Sequence, residues 1–315
     1  MDTHPSPSPQ QWPTPADWCS GELGPGRLTR VSPVAGGQMS ELYRYDPDRG
    51  GPAAVKVRPD SPARISRCLL LQLAAARNGF PCPAPLTGAG TLAGGLVVSA
   101  EEWRPGGGML PGDDPPAAAR SAGLLAELMA VLAGESGADL HPAPPWMGWN
   151  PPGGRLWPAD DRIDSMDQRR VPVAVHAIAR RAAARLRRVA LPSVVGHGDW
   201  EAQNMSWQGA RAQAVYDWDS LVFLPEAAIV GAASGAFASA RIPTLAPVGS
   251  SEAFISAYEA ARGRTFSGSE REVAWAASLW PALHNARGEH LFRAAPVASA
   301  ALVAQAAERL RRANA

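Results

Sequence analysis

"SVVGHGDWEAQNMSW", residues 193–207, and "AQAVYDWDSLVF", residues 212–223, decide how this chain is read. In the first, the apolar pair Val194-Val195 runs into His197, Gly198 and Asp199, and Asn204 follows five residues after that aspartate. In the second, an apolar strand ends in Asp217 and Asp219, with Asp217 thirteen residues beyond Asn204. A carboxylate, a carboxamide and a second carboxylate on adjacent loops are the groups a phosphoryl-transfer site needs. One carboxylate orients an attacking hydroxyl and accepts its proton. The amide oxygen and the other carboxylate are hard oxygen ligands for Mg²⁺, which takes few protein groups beside phosphate oxygens.

Upstream, the pattern is one of short strands. "RLTRVSPV", "SELYRYD" and "PAAVKVRP" alternate with the turn signals "GG" and "DRGG", which predicts an antiparallel meander. The third strand holds Lys56, the single lysine among 30 basic residues. Arginine supplies all other positive side chains, so the Arg-, Ala-, Gly- and Pro-rich composition alone explains much of that rarity. A helix follows, with Asp60 or Ser61 as cap, Pro62 in its first turn and a stop at Asn78-Gly79. "GGLVVSAEEW" is a buried strand leading to "RPGGG", a Gly-rich connector near residues 104–108. Residues 115–134 and 169–190 read as helices, and residues 225–314 are Ala-rich and mainly helical. The expected organisation is a flexible Pro-rich N-terminus over residues 1–20, a sheet-rich lobe over 21–104 and a larger helical lobe over 105–315. The larger lobe carries an irregular insertion at about 142–168.

At 315 residues the chain is long enough for two lobes, and its net charge of +1 gives no field that would attract nucleic acid or an anionic membrane. A local run of Arg180, Arg181, Arg185, Arg187 and Arg188 reads as a solvated helix face. Cys19, Cys68 and Cys82 have neither metal-site nor disulfide spacing. No apolar run reaches a membrane span and no signal-peptide pattern opens the chain. These features lead to the expectation of a cytoplasmic protein, monomeric or homodimeric, with no nucleic-acid or membrane partner. The lone lysine lies outside any G-x-x-x-x-G-K-[ST] motif, which excludes a P-loop, and no G-x-G-x-x-G joins a strand to a helix.

The "HGDWEAQN" stretch resembles the H-G-D-x-x-x-x-N catalytic loop of the aminoglycoside phosphotransferase and choline kinase group, relatives of protein kinases. "VYDWD" is similar to that group's metal-binding segment, and the two stand in the family's order. The resemblance runs from about residue 28 to 290. It implies an α+β, two-lobed protein-kinase-like fold, with a small antiparallel-sheet N-lobe and a larger, mainly helical C-lobe. It implies Asp199 as the catalytic carboxylate, Asn204 and Asp217 as Mg²⁺ ligands and His197 as the residue that orders the loop. Asp219 binds a second metal or caps the next turn. Lys56 would pair with phosphates of ATP or GTP. Gly36, Gly37 and Ser40 resemble the family's phosphate-covering loop, although a Gly-Gly hairpin turn fits equally well. Backbone groups around Ala100 to Glu102 would meet the adenine edge. Absence of H-R-D, D-F-G and A-P-E motifs argues against a protein kinase.

One departure stands out. The family's helix after the lysine strand offers a glutamate to that lysine, whereas residues 62–78 contain no acid. Cys68 falls near the expected place, and Gln72 is the nearest polar substitute. On the acceptor side, Trp149, Asp160 and Asp161 of the insertion, with Glu201 of the catalytic loop, are candidate contacts for a cationic or amphipathic hydroxylated small molecule. The insertion reads equally as a solvated loop anchored by tryptophans. The expected activity is ATP- and Mg²⁺-dependent phosphorylation of an alcohol group, with an antibiotic as the first-choice acceptor. A metabolic sugar, choline-like or amino alcohol is the alternative acceptor. A non-catalytic nucleotide-binding pseudokinase is the alternative from another class.

Overall fold

In "ELYRYDP" and "AAVKVRP" every second side chain is apolar, so each strand can bury one face and leave the other to a cleft. The computed structural model, which describes residues 12–31, 40–240 and 242–315, forms this arrangement. Strands β1 (Gly26–Arg30), β2 (Glu41–Pro47), β3 (Ala53–Pro59), β4 (Gly90–Leu92) and β5 (Leu96–Glu102) make an antiparallel sheet in the order β1-β2-β3-β5-β4. Ala53, Val55 and Val57 point into a small core with Tyr43, Tyr45, Val98 and Ala100. Ala54, Lys56 and Arg58, the alternate positions, line the cleft.

Helix α1 (Ala16–Leu23) begins inside the segment expected to be flexible. Its Cys19 is fully buried in the small core, and Trp12, Trp18 and Leu23 pack against the same core. Apolar burial holds residues 16–23 in a helix that lies partly within the segment whose composition suggested flexibility. Helix α2 (Pro62–Arg77) follows β3, starts on Pro62 as its composition predicts, and gives way to Gly79 at φ 82°.

The connector after β5 is not a free hinge. Gly108 N–H donates to Trp207 O at 2.8 Å, and Trp207 N–H returns a bond to Gly108 O at 2.7 Å. The second lobe is built from α3 (Pro115–Val131), α4 (Asp161–Asp164), α5 (Val173–Arg188), α6 (Glu226–Ala236), α7 (Val248–Arg262), α8 (Gly268–Ala277), α9 (Trp280–Phe292) and α10 (Val297–Arg312). Two short antiparallel ribbons cross its upper surface: β6 (Ser193–His197) with β9 (Leu221–Pro225), and β7 (Met205–Gln208) with β8 (Arg211–Val215). The architecture is α+β, a small antiparallel sheet over a helical lobe.

Helix α6 is buried along its whole length, which its alanines and glycines permit. A Cβ on Gly231 would lie 2.1 Å from Ala274 O, so only glycine lets α6 and α8 approach this closely. On α5, Arg180, Arg181, Arg187 and Arg188 are exposed, as a solvated face requires. Arg185 is the exception: it is buried and paired with Glu272. No helix of the described residues is long and apolar enough to cross a membrane.

Candidate functional site

The two ribbons hold the signature residues at their strand ends. Strand β6 delivers His197, and the short turn after it places Asp199 and Asn204 on one loop. Asn204 Nδ2 donates to Asp199 Oδ2 at 2.8 Å and to the Asp199 carbonyl at 3.0 Å. Both bonds use the amide nitrogen, so the amide oxygen is the end of Asn204 suited to a cation. The imidazole of His197 ties this loop to the next. Its Nδ1 accepts from Asp199 N–H at 3.2 Å, and its Nε2 lies 3.1 Å from Tyr216 O. Donation to that carbonyl fixes the Nε2–H tautomer. Desolvation holds the His197 pKa below its ordinary value, so the ring is neutral and serves as a brace. A side chain on Gly198 would strike Val222 and Ser220 O, at 2.7 and 2.9 Å from its Cβ, so the loop needs glycine there to lie flat on β9.

Asp217 is in the left-handed region, φ 63° and ψ 45°, which non-glycine residues seldom adopt. The turn carries its carboxylate out of β8 into the cleft. There Ser220 Oγ donates to Asp217 Oδ2 at 2.7 Å and Lys56 Nζ pairs with the other oxygen. Lys56 also reaches Asp219 Oδ1 at 2.6 Å, and Arg58 Nε lies 3.1 Å from Asp219 Oδ2. Burial disfavours the Lys56 ammonium, but the two carboxylates outweigh it and raise its pKa. Burial likewise opposes the Asp219 carboxylate, and Lys56 and Arg58 overcome it and hold its pKa low. Desolvation, then the Asp217 charge, pushes Asp199 up to about 7, against the Asn204 hydrogen bond. Glu201 is raised well above its ordinary value by burial and by Asp199.

All of these groups open on one cavity of about 1070 Å³ between the lobes. Its upper part is lined by Ser40, Lys56, Arg58, Arg64 and Glu101, with Trp103 to Gly106 along the connector. Its lower part is lined by Trp146, Asp160, Glu201 and Gln203, by Ala232, Ala233 and Ala236 of α6, and by His284, Asn285, Gly288 and Phe292 on one face of α9. The donor set of Asn204 and Asp217 suits Mg²⁺, which completes its shell from water and phosphate. Among the described residues no group of three or more His, Cys, Asp or Glu forms an all-protein metal cage.

Several expectations are corrected. Ala100 and Glu102 are not placed to read an adenine edge. The Ala100 carbonyl accepts from Leu86 and Thr87, its N–H donates to Thr87 Oγ1, and Glu102 N–H donates to Ala84 O. Strand-like pairing with the 84–87 segment takes up those groups, and the connector from Trp103 onward faces the cavity instead. Trp149 is buried in the core of the larger lobe and does not line the cavity. Trp146 does, with its Nε1 donating to Gly198 O at 3.1 Å. On α9, Trp280 and Arg287 are buried, and His284 reaches the cavity. Gly36 and Gly37 lie outside the described residues, as does the side chain of Asp161. Arg58 and Arg64 were not singled out from the sequence, and Trp146 stood there only as one of the insertion's tryptophans, not told apart from Trp149. Period-two alternation around Lys56 would have found Arg58. No local signal marks Arg64 or Trp146.

A small sheet over a helical lobe, with a lysine facing two strand-end carboxylates and a carboxamide across a cleft, defines a kinase-like phosphotransferase acting on an alcohol group. The model of the phosphotransferase enzyme family matches residues 30–228, and the chain belongs to that family. No curated protein sequence matches the chain. Solved structures share the fold at low identity. Aminoglycoside phosphotransferase APH(4)-Ia, in a ternary complex with ADP and hygromycin B, is 16% identical with TM-score 0.52, covering 95% of this chain and 96% of that one. Amicoumacin kinase with AMP-PNP, Ca²⁺ and its antibiotic is 11% identical with TM-score 0.63, covering 90% and 88%. A putative fructosamine-3-kinase from Thermobifida fusca is 20% identical with TM-score 0.55, covering 94% and 98%.

Proposed function

We propose that this phosphotransferase moves the γ-phosphoryl group of ATP, with Mg²⁺, onto a hydroxyl of a small-molecule antibiotic, in a resistance or self-protection role. The observation that carries the reading is the convergence of Lys56, Asp199, Asn204 and Asp217 on one cavity with room beyond Asp199 for an acceptor. In this reading Lys56 and Ser40 contact the phosphates, while Asn204 and Asp217 hold the cation. Asp199 orients the acceptor hydroxyl and takes its proton as the bond between the γ-phosphorus and the bridging oxygen breaks. ADP leaves, and the phosphate ester remains on the acceptor. The protein supplies position and charge, with no covalent intermediate.

The lower cavity supports an amphipathic, cationic acceptor. Asp160 and Glu201 lie there, both largely buried, and a cationic group beside Glu201 would favour its ionised form against the burial that raises its pKa. The α6 alanines make a smooth apolar wall, and Trp146 and Phe292 add aromatic surface. The neighbours that bind hygromycin B and amicoumacin support the antibiotic reading by fold alone. The fructosamine-3-kinase neighbour marks the metabolic alternative.

A panel of hydroxylated acceptors, with phosphorylated product detected by mass, tests the proposal. Asp199→Asn should lower kcat by about 10² to 10⁴ while leaving calorimetric ATP affinity within a factor of two or three. Turnover that survives in Asp199→Asn would sink the catalytic assignment. Phosphorylation of sugars or amino alcohols in preference to antibiotics would shift the acceptor class. ATP binding without transfer to any acceptor would favour a pseudokinase.

A further inference from the structure

Lysine's ammonium sits on a flexible four-carbon stem, so a lysine that must meet a phosphate in one geometry needs an anchor. The helix beside β3 offers none: α2 contains no acid, and what it turns toward the site is cationic or neutral. Arg64 Nη2 donates to Asp219 O at 2.8 Å and to Leu221 O at 3.0 Å. Gln72 Nε2 donates to Glu101 Oε2 at 2.6 Å and to Pro83 O at 2.9 Å, and so holds a different carboxylate. The charge pattern across α2 is therefore the reverse of a lysine anchor. The anions lie on the other lobe, in the Asp217–Asp219 turn.

Those two anions are not equivalent. In the reading above Asp217 holds the cation, so its carboxylate is shared between Lys56 and the metal. Asp219 is braced from three sides. Its Oδ1 meets Lys56 at 2.6 Å and its Oδ2 lies 3.1 Å from Arg58 Nε. Its backbone carbonyl accepts from Arg64. Arg58 is itself fixed: it is 5% exposed, with Nη2 on Ser99 Oγ and Nη1 on the Lys56 carbonyl, each at 3.0 Å. Lys56 and Arg58 project from the same face of β3 two residues apart, so one carboxylate spans both heads.

We infer that Asp219, clamped by Arg58 and Arg64, is the residue that positions Lys56 for the nucleotide phosphates. It replaces an acid on α2 and is not itself a metal ligand. The inference rests on the nucleotide role of Lys56 given above, and it adds Arg58 and Arg64 as positioning residues. It also makes the lobes interdependent, because the anchor of an N-lobe lysine sits on the C-lobe turn that carries Asp217.

Calorimetric affinity for ADP at saturating Mg²⁺, with the Mg²⁺ concentration that half-saturates ADP binding, separates positioning from metal ligation. Asp219→Asn, which is nearly isosteric, and Arg58→Gln should each weaken ADP about five- to thirtyfold and leave the half-saturating Mg²⁺ within a factor of two. The double variant should be little worse than either single one, because the two residues act as a unit. Asp219→Glu should recover most of the affinity, which a packing defect would not. A shift in Mg²⁺ requirement with Asp219→Asn, with Arg58→Gln silent, would overturn the inference in favour of a second metal ligand. Tighter ADP binding in Asp219→Asn would overturn it too, by showing that Asp219 competes with phosphate for Lys56. Should Arg58→Gln fail to fold, Asp219→Asn and Asp219→Glu decide the question alone. Failure of the unsubstituted protein to bind ADP would instead overturn the nucleotide reading, and this inference with it.

Discussion

Single residues in the cleft are tuned by what surrounds them more than by their own chemistry. Glu101 shows this most clearly. Burial pushes its carboxyl up to about 7, against the Gln72 hydrogen bond and the Lys56 charge, while Asp219 adds to the rise and Arg58 opposes it. A carboxyl with a raised folded-state pKa binds more protons folded than unfolded. Its contribution to stability is complete below the unfolded value near 4.5 and is lost as pH climbs through about 7. Glu101→Gln removes that loss and keeps a partner for Gln72. Thermal melts should show a gain of roughly 2 to 4 °C for the variant at pH 8 and little difference at pH 4.5. An equal gain at both pH values would mean that packing, and not charge, is responsible. The acid–amide–acid set itself was legible in the sequence, because Asp199, Asn204 and Asp217 lie close along the chain and their spacing is fixed by two short ribbons. Arg64 and Trp146 were not, because their partners are 155 and 52 residues away.

At the scale of elements, small residues set how near the helices come. Helix α6 lines the lower cavity with Ala232, Ala233 and Ala236 on one face and packs on α8 through Gly231 on another. Gly231→Ala forces a Cβ into the Ala274 carbonyl. Backbone cannot yield as a flexible side chain does, so the substitution should cost about 1–3 kcal/mol, read as a lower denaturant midpoint at unchanged slope. A neutral result would show that α6 can shift without cost. The helices and the meander were predicted because their periodicities are local. The order at α1 was not. What orders it is the burial of Cys19 beneath the sheet, and proline content in a linear sequence carries no information about that contact.

For the molecule as a whole, side chains of each lobe tie directly to the other, Arg64 to the Asp219 and Leu221 carbonyls among them. Tyr216 Oη donates to Arg104 O at 2.8 Å, Arg67 pairs with Glu135 at 3.0 Å, and Lys56 and Arg58 reach the Asp217–Asp219 turn. A ligand held by both lobes adds to these, and binding to the folded state alone stabilises by mass action. Saturating Mg²⁺–ATP, at about 100 times its dissociation constant, should therefore add about 2.7 kcal/mol, visible as a rise in Tm. Asp217→Ala should abolish most of the rise that depends on Mg²⁺, and a full rise in that variant would remove Asp217 from the cation site.

The sequence by itself determined the class of fold, the family and the motif that sets Asp199 and Asn204 on one loop, since each is written in short-range patterns: alternation, caps, and motif spacing over a few tens of residues. Only the tertiary structure decided which carboxylates Lys56 meets, which tryptophan lies against the Asp199 loop and where the connector faces the cavity. Those outcomes depend on contacts between segments far apart in the chain. In such contacts burial, hydrogen-bond saturation and charge pairing choose among side chains that the sequence leaves equivalent.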